Sequence, residues 1–324
     1  ITDPPHTIPE HITELRRMNK GVQSRQPLAM IAQAIWDGHA IMGTDGSVKD
    51  NIATYSWVIS TDQADIHDDA KGGGFLPASA QYLEPYSKRP EAAALFAGIT
   101  WIIELLTKYP NPHPHDDNIP IIPIPVDNEG VVKDIHRTIN EQTPTFHLLS
   151  PDYDILQATR KAIQLLRKLH VKTEIFHIKS HQDQHKPFEE VTYDAQINIL
   201  ADRQATAIHR TPPHRTGLFP TWVPGTRAAL FHGAQQVTKG IPEYIRYAKH
   251  APEMKAYLIK RSKEATGRES AWDPNIFDSI AWKPLGETLK KLPTGKRIQL
   301  SKFMNDLLPT LRRLQTIDNT TDGQ

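Results

Sequence analysis

At 324 residues and 38% hydrophobic content, the chain is long enough to bury a sizeable core, as two domains or as one with a long extension. A formal net charge of +1 excludes a uniformly basic or acidic protein, and the absence of cysteine excludes a disulfide framework and any thiolate metal site. Metal ligands must then be carboxylates, which favour Mg²⁺ or Mn²⁺, or come from the 16 histidines, which would favour Zn²⁺.

The N-terminus, Ile1-Thr2-Asp3-Pro4-Pro5, is polar and proline-rich, unlike a secretory signal. This points to an intracellular protein, with nucleus and cytoplasm both open. The first residue is not Met, so a piece of a longer product is expected. No run approaches the roughly 18 apolar residues of a membrane span, so no membrane association is expected. Residues 1–37 read as a helical lead-in, with helices over His11–Met18 and Leu28–Trp36.

Residues 38–60 read as strand, turn and strand, from their β-branched and aromatic content. Asp45 ends the first apolar run. Asp-Gly is a common turn dipeptide, so Asp45 alone could be a turn residue. Thr61–Asp69 reads as a loop and Lys71–Leu76 as a third strand, weakened by Gly72, Gly73 and Gly74. Ser87 to Ala94 reads as a helix start. Ser87 caps it, Pro90 suits the first turn and Glu91 suits the positive end of the dipole. The helix continues to Leu105 with one apolar face. Tyr109–Asp117 reads as a loop in which His113 and His115 are candidate metal ligands or chance surface histidines.

Ile119–Val126 is apolar but carries Pro120, Pro123 and Pro125, an awkward composition for a central strand. Its end is still read as a strand, because Val126-Asp127-Asn128 passes directly into a helix over Glu129–Asn140. That is a βα unit, and Asp127 lies at its carboxyl end, where α/β sheets place ligands. Ser150-Pro151-Asp152 starts an amphipathic helix through Ile155, Ala158, Ala162, Leu165 and Leu169. Val171–Ile178 alternates as a strand and runs into a loop carrying His181. A last helix spans Val191–His209 with Asp202 on the face of Val191, Ala195 and Ile199. Thr211-Pro212-Pro213 closes this body, so a domain is expected over 38–212.

Residues 213–324 read as short basic helices, among them Pro242–Ala248, Met254–Ala265 and Ile298–Leu308, with Trp222, Trp272 and Trp282 scattered between. Arg246–Arg313 holds 15 Lys or Arg against 7 Asp or Glu, and the rest of the chain 23 against 30. A basic tail beside an acidic body suits a polyanion-binding protein with a carboxylate metal site, and equally a solvated helical surface.

The body thus orders as β-β-β-α-β-α-α-β-α, a mixed five-stranded sheet flanked by helices. Asp45, Glu91, Asp127 and Asp202 fall at element ends or on inward helix faces. Carboxylates gathered this way repel unless a divalent cation holds them. Two such ions about 3.5–4 Å apart can drive phosphodiester cleavage.

Five segments carry a family likeness. Thr44-Asp45-Gly46-Ser47, Pro90-Glu91-Ala92-Ala93-Ala94-Leu95, Val126-Asp127-Asn128, Ile178-Lys179-Ser180-His181 and Asn198–Ala205 resemble, in order, the signature segments of type I ribonuclease H domains. The resemblance covers about residues 38–210. It implies Asp45, Glu91, Asp127 and Asp202 as Mg²⁺ ligands, with Mn²⁺ as a substitute. It implies that His181 assists proton transfer or product release from a mobile loop. Gly46, Ser47 and Asn128 would lie near the RNA of an RNA–DNA hybrid, whose RNA strand is cut to leave a 5′-phosphate and a 3′-hydroxyl. The 2′-hydroxyl would identify that strand.

The spacing from His181 to Asp202 exceeds that of compact members, so 182–190 reads as an insertion. No basic protrusion appears inside the domain, and the basic tail is the expected substitute. A ribonuclease H domain with such a tail also resembles the C-terminal part of retroelement polyproteins, where it follows a reverse transcriptase. Ser301–Thr310 looks like the region before their Cys-containing zinc motif, and this chain stops before any cysteine. Two other readings stay open: an integrase or transposase-type nuclease, which usually lacks an acid at the position of Glu91, and a catalytically silent nucleic-acid-binding module.

Overall fold

A computed structural model describes residues 17–245, apart from 51, 63, 78–87, 112–118, 141–149, 222, 224–229 and 233–234, and beyond them scattered residues between 252 and 298. The expected His11–Met18 helix lies largely outside the described residues, as do the Ser87 cap, His113, His115, the three tail tryptophans and most of the tail helices. Within the described residues the chain is mixed α/β, with antiparallel strands flanked by helices, as the resemblance implies.

Strands β1 (Gln23–Ser24), β2 (Ile41–Lys49), β3 (Ile52–Ser60) and β4 (Ala70–Phe75) hydrogen-bond in the order β1-β4-β3-β2, all antiparallel. Helix α1 (Leu28–Trp36) links the first two. The turn that Asp-Gly alone could mark falls elsewhere. Asp45 pairs with Ser56 in the middle of the ladder. The chain reverses after Lys49, where Asp50 takes a left-handed φ of 50°. Gly46 answers a different need, close approach of a helix. In β4, a Cβ at Gly72 would strike the Trp57 ring, and one at Gly74 would overlap the backbone of Gly217. Those glycines let other groups approach the strand.

Helix α2 (Lys88–Lys108) is buried on nearly every side from Arg89 to Leu106, rather than along one stripe. It is long and apolar enough to cross a membrane by length and composition alone, yet it is a core helix. It packs on one face of β2 and α5 (Tyr193–Ile208) packs on the other. A Cβ at Gly98 of α2 would strike Met42, and a Cβ at the next strand residue, Gly43, would overlap the Ile197 carbonyl of α5. Consecutive strand residues point to opposite faces. A polar row fixes α5 to β3: Thr54 Oγ1 donates to the Ala205 carbonyl at 3.2 Å and Ser56 Oγ to the Ala201 carbonyl at 2.6 Å.

β5 (Ile121–Val126) and β6 (Lys172–His177) form a separate parallel pair. They are joined through α3 (Glu129–Asn140) and α4 (Tyr153–Lys168). β5 also neighbours β2, yet among the described residues the two share no ladder. The prolines explain this. Lys172 N–H bonds the Pro120 carbonyl and Ile178 N–H the Val126 carbonyl, so even-numbered residues of β5 turn their backbone to β6. Pro123 and Pro125 fall on the other edge, toward β2, where proline has no N–H to offer.

Among the described residues the first compact unit extends to Pro242, beyond the boundary expected at 212. β7 (Gly217–Leu218) adds to β4 in parallel. Phe219 is buried against Tyr55 and Phe96, with ring centroids at 5.7 and 6.2 Å. A hairpin of β8 (Leu230–His232) and β9 (Gln235–Val237) follows. The second unit, Glu243–Gln324, is described only at scattered positions, most of them helical.

Candidate metal centre

Asp45, Glu91 and Asp127 converge. Each offers a carboxylate oxygen, and these lie within 4.8 Å of one another. Asp45 and Glu91 are buried and Asp127 is half-buried. Three local features bring them together. The ladder fixes Asp45 opposite Ser56. A Cβ at Gly46 would overlap the Glu91 nitrogen and the Pro90 carbonyl carbon, so only glycine lets the first turn of α2 sit this close. Asp127 directly follows β5, where the strand gives way to the turn into α3.

Burial and mutual repulsion act on all three. Burial, reinforced by the charges of Asp127 and Asp202, pushes Asp45 up to about 8. Burial pushes Glu91 well above the usual carboxylate range, and Asp45 and Asp127 push it further. The Gly46 N–H donates toward both carboxyl groups and opposes the rise. Burial raises Asp127 as well, against the opposing charge of His181. Such a cluster holds protons or a cation at neutral pH.

The donor set fits a hard divalent cation. All ligands are oxygens, and Glu91 Oε2 is buried without a hydrogen-bond partner among the described residues. An orphaned buried carboxylate oxygen beside two others is what a bound cation would satisfy.

Asp202 lies outside this tightest group. It is half-buried on α5, and its charge is felt by Asp45, Glu91 and Asp127. Burial raises it too, opposed by His181. His181 is exposed, with a left-handed φ of 51°, at the head of the 3₁₀ turn Gln182–Gln184. Its charge reaches both Asp127 and Asp202. The segment 182–190 is held near the start of α5 and along it through Phe188. Phe188 packs on the patch of Val191, Ala195 and Ile199, and the Arg203 guanidinium stands 5.1 Å from the Phe188 ring centroid.

Of the residues expected near RNA, Gly46 packs against α2 and Ser47 is half-exposed opposite Thr54. Asn128 caps α3, its Oδ1 accepting from Val131 N at 3.1 Å. Two groups escaped the sequence reading. His177 pairs with Val126 across β5 and β6, and its charge also reaches Asp127. Its place at the end of a patterned strand was the available signal. Arg89, two residues before Glu91, is buried in an ion pair with Asp154. Asp152 caps nothing with its side chain, which instead meets Arg89.

No family model matches this chain, and no curated protein does. Solved structures do. A ribonuclease H1 from the halophilic archaeon Halobacterium salinarum aligns at 18% identity over 53% of this chain and 97% of its own, with a TM-score of 0.32. LC11 ribonuclease H1, isolated from compost by a metagenomic approach, aligns at 15% identity over 54% and 99%, with a TM-score of 0.30. The same enzyme in complex with an RNA/DNA hybrid aligns at 15% over 50% and 99%, with a TM-score of 0.28.

Proposed function

We propose that this chain hydrolyses the RNA strand of RNA–DNA hybrids, using divalent cations held by Asp45, Glu91, Asp127 and Asp202. Mg²⁺ is the expected ion and Mn²⁺ its substitute. The observation that carries the reading is the convergence of three carboxylate oxygens within 4.8 Å, with Glu91 Oε2 buried and unpartnered. The in-order likeness of the five segments supplies the substrate class.

A divalent cation bound there would supply the Lewis-acid charge that phosphodiester hydrolysis needs at the attacking and leaving oxygens. The chain's own groups do the rest. Asp45 and Glu91 fix the site to the rigid β2–α2 junction. Asp127 closes it from the β5 side. Asp202 adds a half-buried carboxylate on α5. His181, exposed at the rim, can carry a proton between the site and solvent.

The retroelement setting belongs to the same proposal, with an upstream reverse transcriptase domain as the source of the hybrid. It is supported by the basic stretch Arg246–Arg313 and by the wording of Ser301–Thr310.

A labelled hybrid incubated with Mg²⁺ tests the activity. The wild-type protein should cut only the RNA strand, leaving 5′-phosphate and 3′-hydroxyl ends, and Asp127→Asn should not cut. If neither protein cuts and both bind the hybrid equally, the silent binding module is the correct reading.

A further inference from the structure

The buried cluster around Arg89 has no part in the chemistry above. Arg89 Nη1 and Nη2 bond the two Asp154 carboxylate oxygens at 2.9 and 2.8 Å, and Nη1 reaches Asp152 Oδ1 at 3.3 Å. Gln236 Nε2 donates to Asp154 Oδ2 at 3.1 Å, and the Asp152 N–H donates to the Thr238 carbonyl at 2.9 Å. Arg89, Asp152, Asp154, Gln236 and Thr238 are all buried. The segment 236–238 lies beyond the stretch that resembles ribonuclease H, yet it completes this cluster.

We propose that the β8–β9 hairpin is a clasp for the metal centre, acting through Arg89 as a positioning residue for Glu91. The proposal rests on the cation site described above. Arg89 and Glu91 share the first turn of α2. A helix start has unpaired N–H groups and frays unless something holds it. Here the start is held from two sides. Gly46 abuts Pro90 and Glu91, and the guanidinium is gripped by a fork of carboxylates whose outer oxygen is engaged by Gln236. A bidentate arginine pair fixes direction as well as distance. Loosening the hairpin frees Asp154, then Arg89, then the turn that carries Glu91.

Mn²⁺ affinity of the full-length chain tests this, by calorimetry well below the unfolding temperature, with circular dichroism to confirm folding. Gln236→Leu should weaken Mn²⁺ binding several-fold and Arg89→Met about tenfold, the range for residues that orient metal ligands. Arg89→Lys keeps the charge but loses the fork and should fall between. Gln164→Leu, exposed on α4, should bind as wild type. In cleavage assays kcat at fixed Mn²⁺ should fall while KM for the hybrid stays constant. If Arg89→Met does not fold, Gln236→Leu decides alone. Folded variants with lower Tm but wild-type Mn²⁺ affinity would make the cluster purely structural and overturn the clasp. A wild-type chain that binds no Mn²⁺ would remove the cation site itself, and the clasp with it.

Discussion

Gly46 lies directly against the backbone nitrogen of Glu91, leaving no room for a Cβ between strand and helix. The obstructing atoms are backbone, which cannot rotate aside. Gly46→Ala should therefore destabilise the fold by about 1–3 kcal/mol, as overpacking does. It should also push Glu91 away from Asp45. Urea unfolding measures the first effect and Mn²⁺ titration the second. Unchanged Mn²⁺ affinity in a folded Gly46→Ala protein would contradict the close packing.

Asp45→Asn separates stability from activity. The wild-type cluster holds a buried carboxyl group that is raised to about 8 because ionising it there is unfavourable. An amide removes that cost. In EDTA the variant should be more stable by on the order of 1–3 kcal/mol, while hybrid cleavage falls to background. Thermal melts with EDTA and with Mg²⁺ would show the crossing: the cation should stabilise wild type much more than the variant.

The pH dependence should carry two opposite signs. Asp45 and Glu91 are raised, so the folded state keeps protons that the unfolded chain releases above its ordinary value of 3.8 to 4.5. In EDTA, stability should fall as pH rises from about 4 toward 8, and Mg²⁺ should flatten that fall. Asp154 behaves oppositely. Burial raises it, but the Arg89 charge and hydrogen bonds outweigh burial and hold it below 3.8. Its contribution is present above about pH 4 and is lost as pH falls through the folded value. Denaturation midpoints from about pH 2 to 9, for wild type and Asp154→Asn, should show the variant losing the acid limb only.

Phe219→Ala should cost about 3–5 kcal/mol, the usual range for a buried phenylalanine. Phe219 sits past the boundary that Pro212-Pro213 announces, yet it is about 1% exposed between Tyr55 and Phe96. A loss below about 1 kcal/mol in urea unfolding would place residues 217–219 outside the core.

Charge in the tail should be read as a salt slope. Replacing Lys290, Lys291, Lys296 and Arg297 with Gln should weaken hybrid binding. It should also flatten the dependence of log affinity on log salt by up to about 0.9 for each phosphate that is no longer neutralised. An identical slope would reject the tail as the hybrid-binding element.

The order of strands and helices was legible from two kinds of signal: β-branched and aromatic content marks β2 and β3, which are buried on both faces over most of their length, and a 3.6-residue period marks α4, whose Ile155, Ala158 and Ala162 are buried. The acids were legible for different reasons: Asp127 follows a strand end and Glu91 lies in a helix's first turn, whereas Asp45, in mid-strand, and Asp202, inside α5, stood out through the likeness of the five segments. What the sequence hid is long-range. Gly46 and Asp45 look like a turn until α2 is known to press on Gly46. Asp152 reads only as part of a helix start until Arg89, 63 positions earlier, takes its carboxylate. Pro212-Pro213 looks like a domain end, because nothing local tells that Phe219 and Gln236 return to the core.

The two prolines that remove N–H donors from the β2-facing edge of β5 also bear on how the metal centre can behave. Asp45 belongs to the antiparallel sheet and Asp127 to the parallel pair, and among the described residues no backbone ladder crosses between them. The centre therefore straddles a seam. A cation held by both acids would add a bridge across two sub-sheets that share one core but no ladder among the described residues. Loading the site should then be felt along the seam, as slower amide exchange along β2 and β5 together, beyond Asp45 and Asp127 themselves.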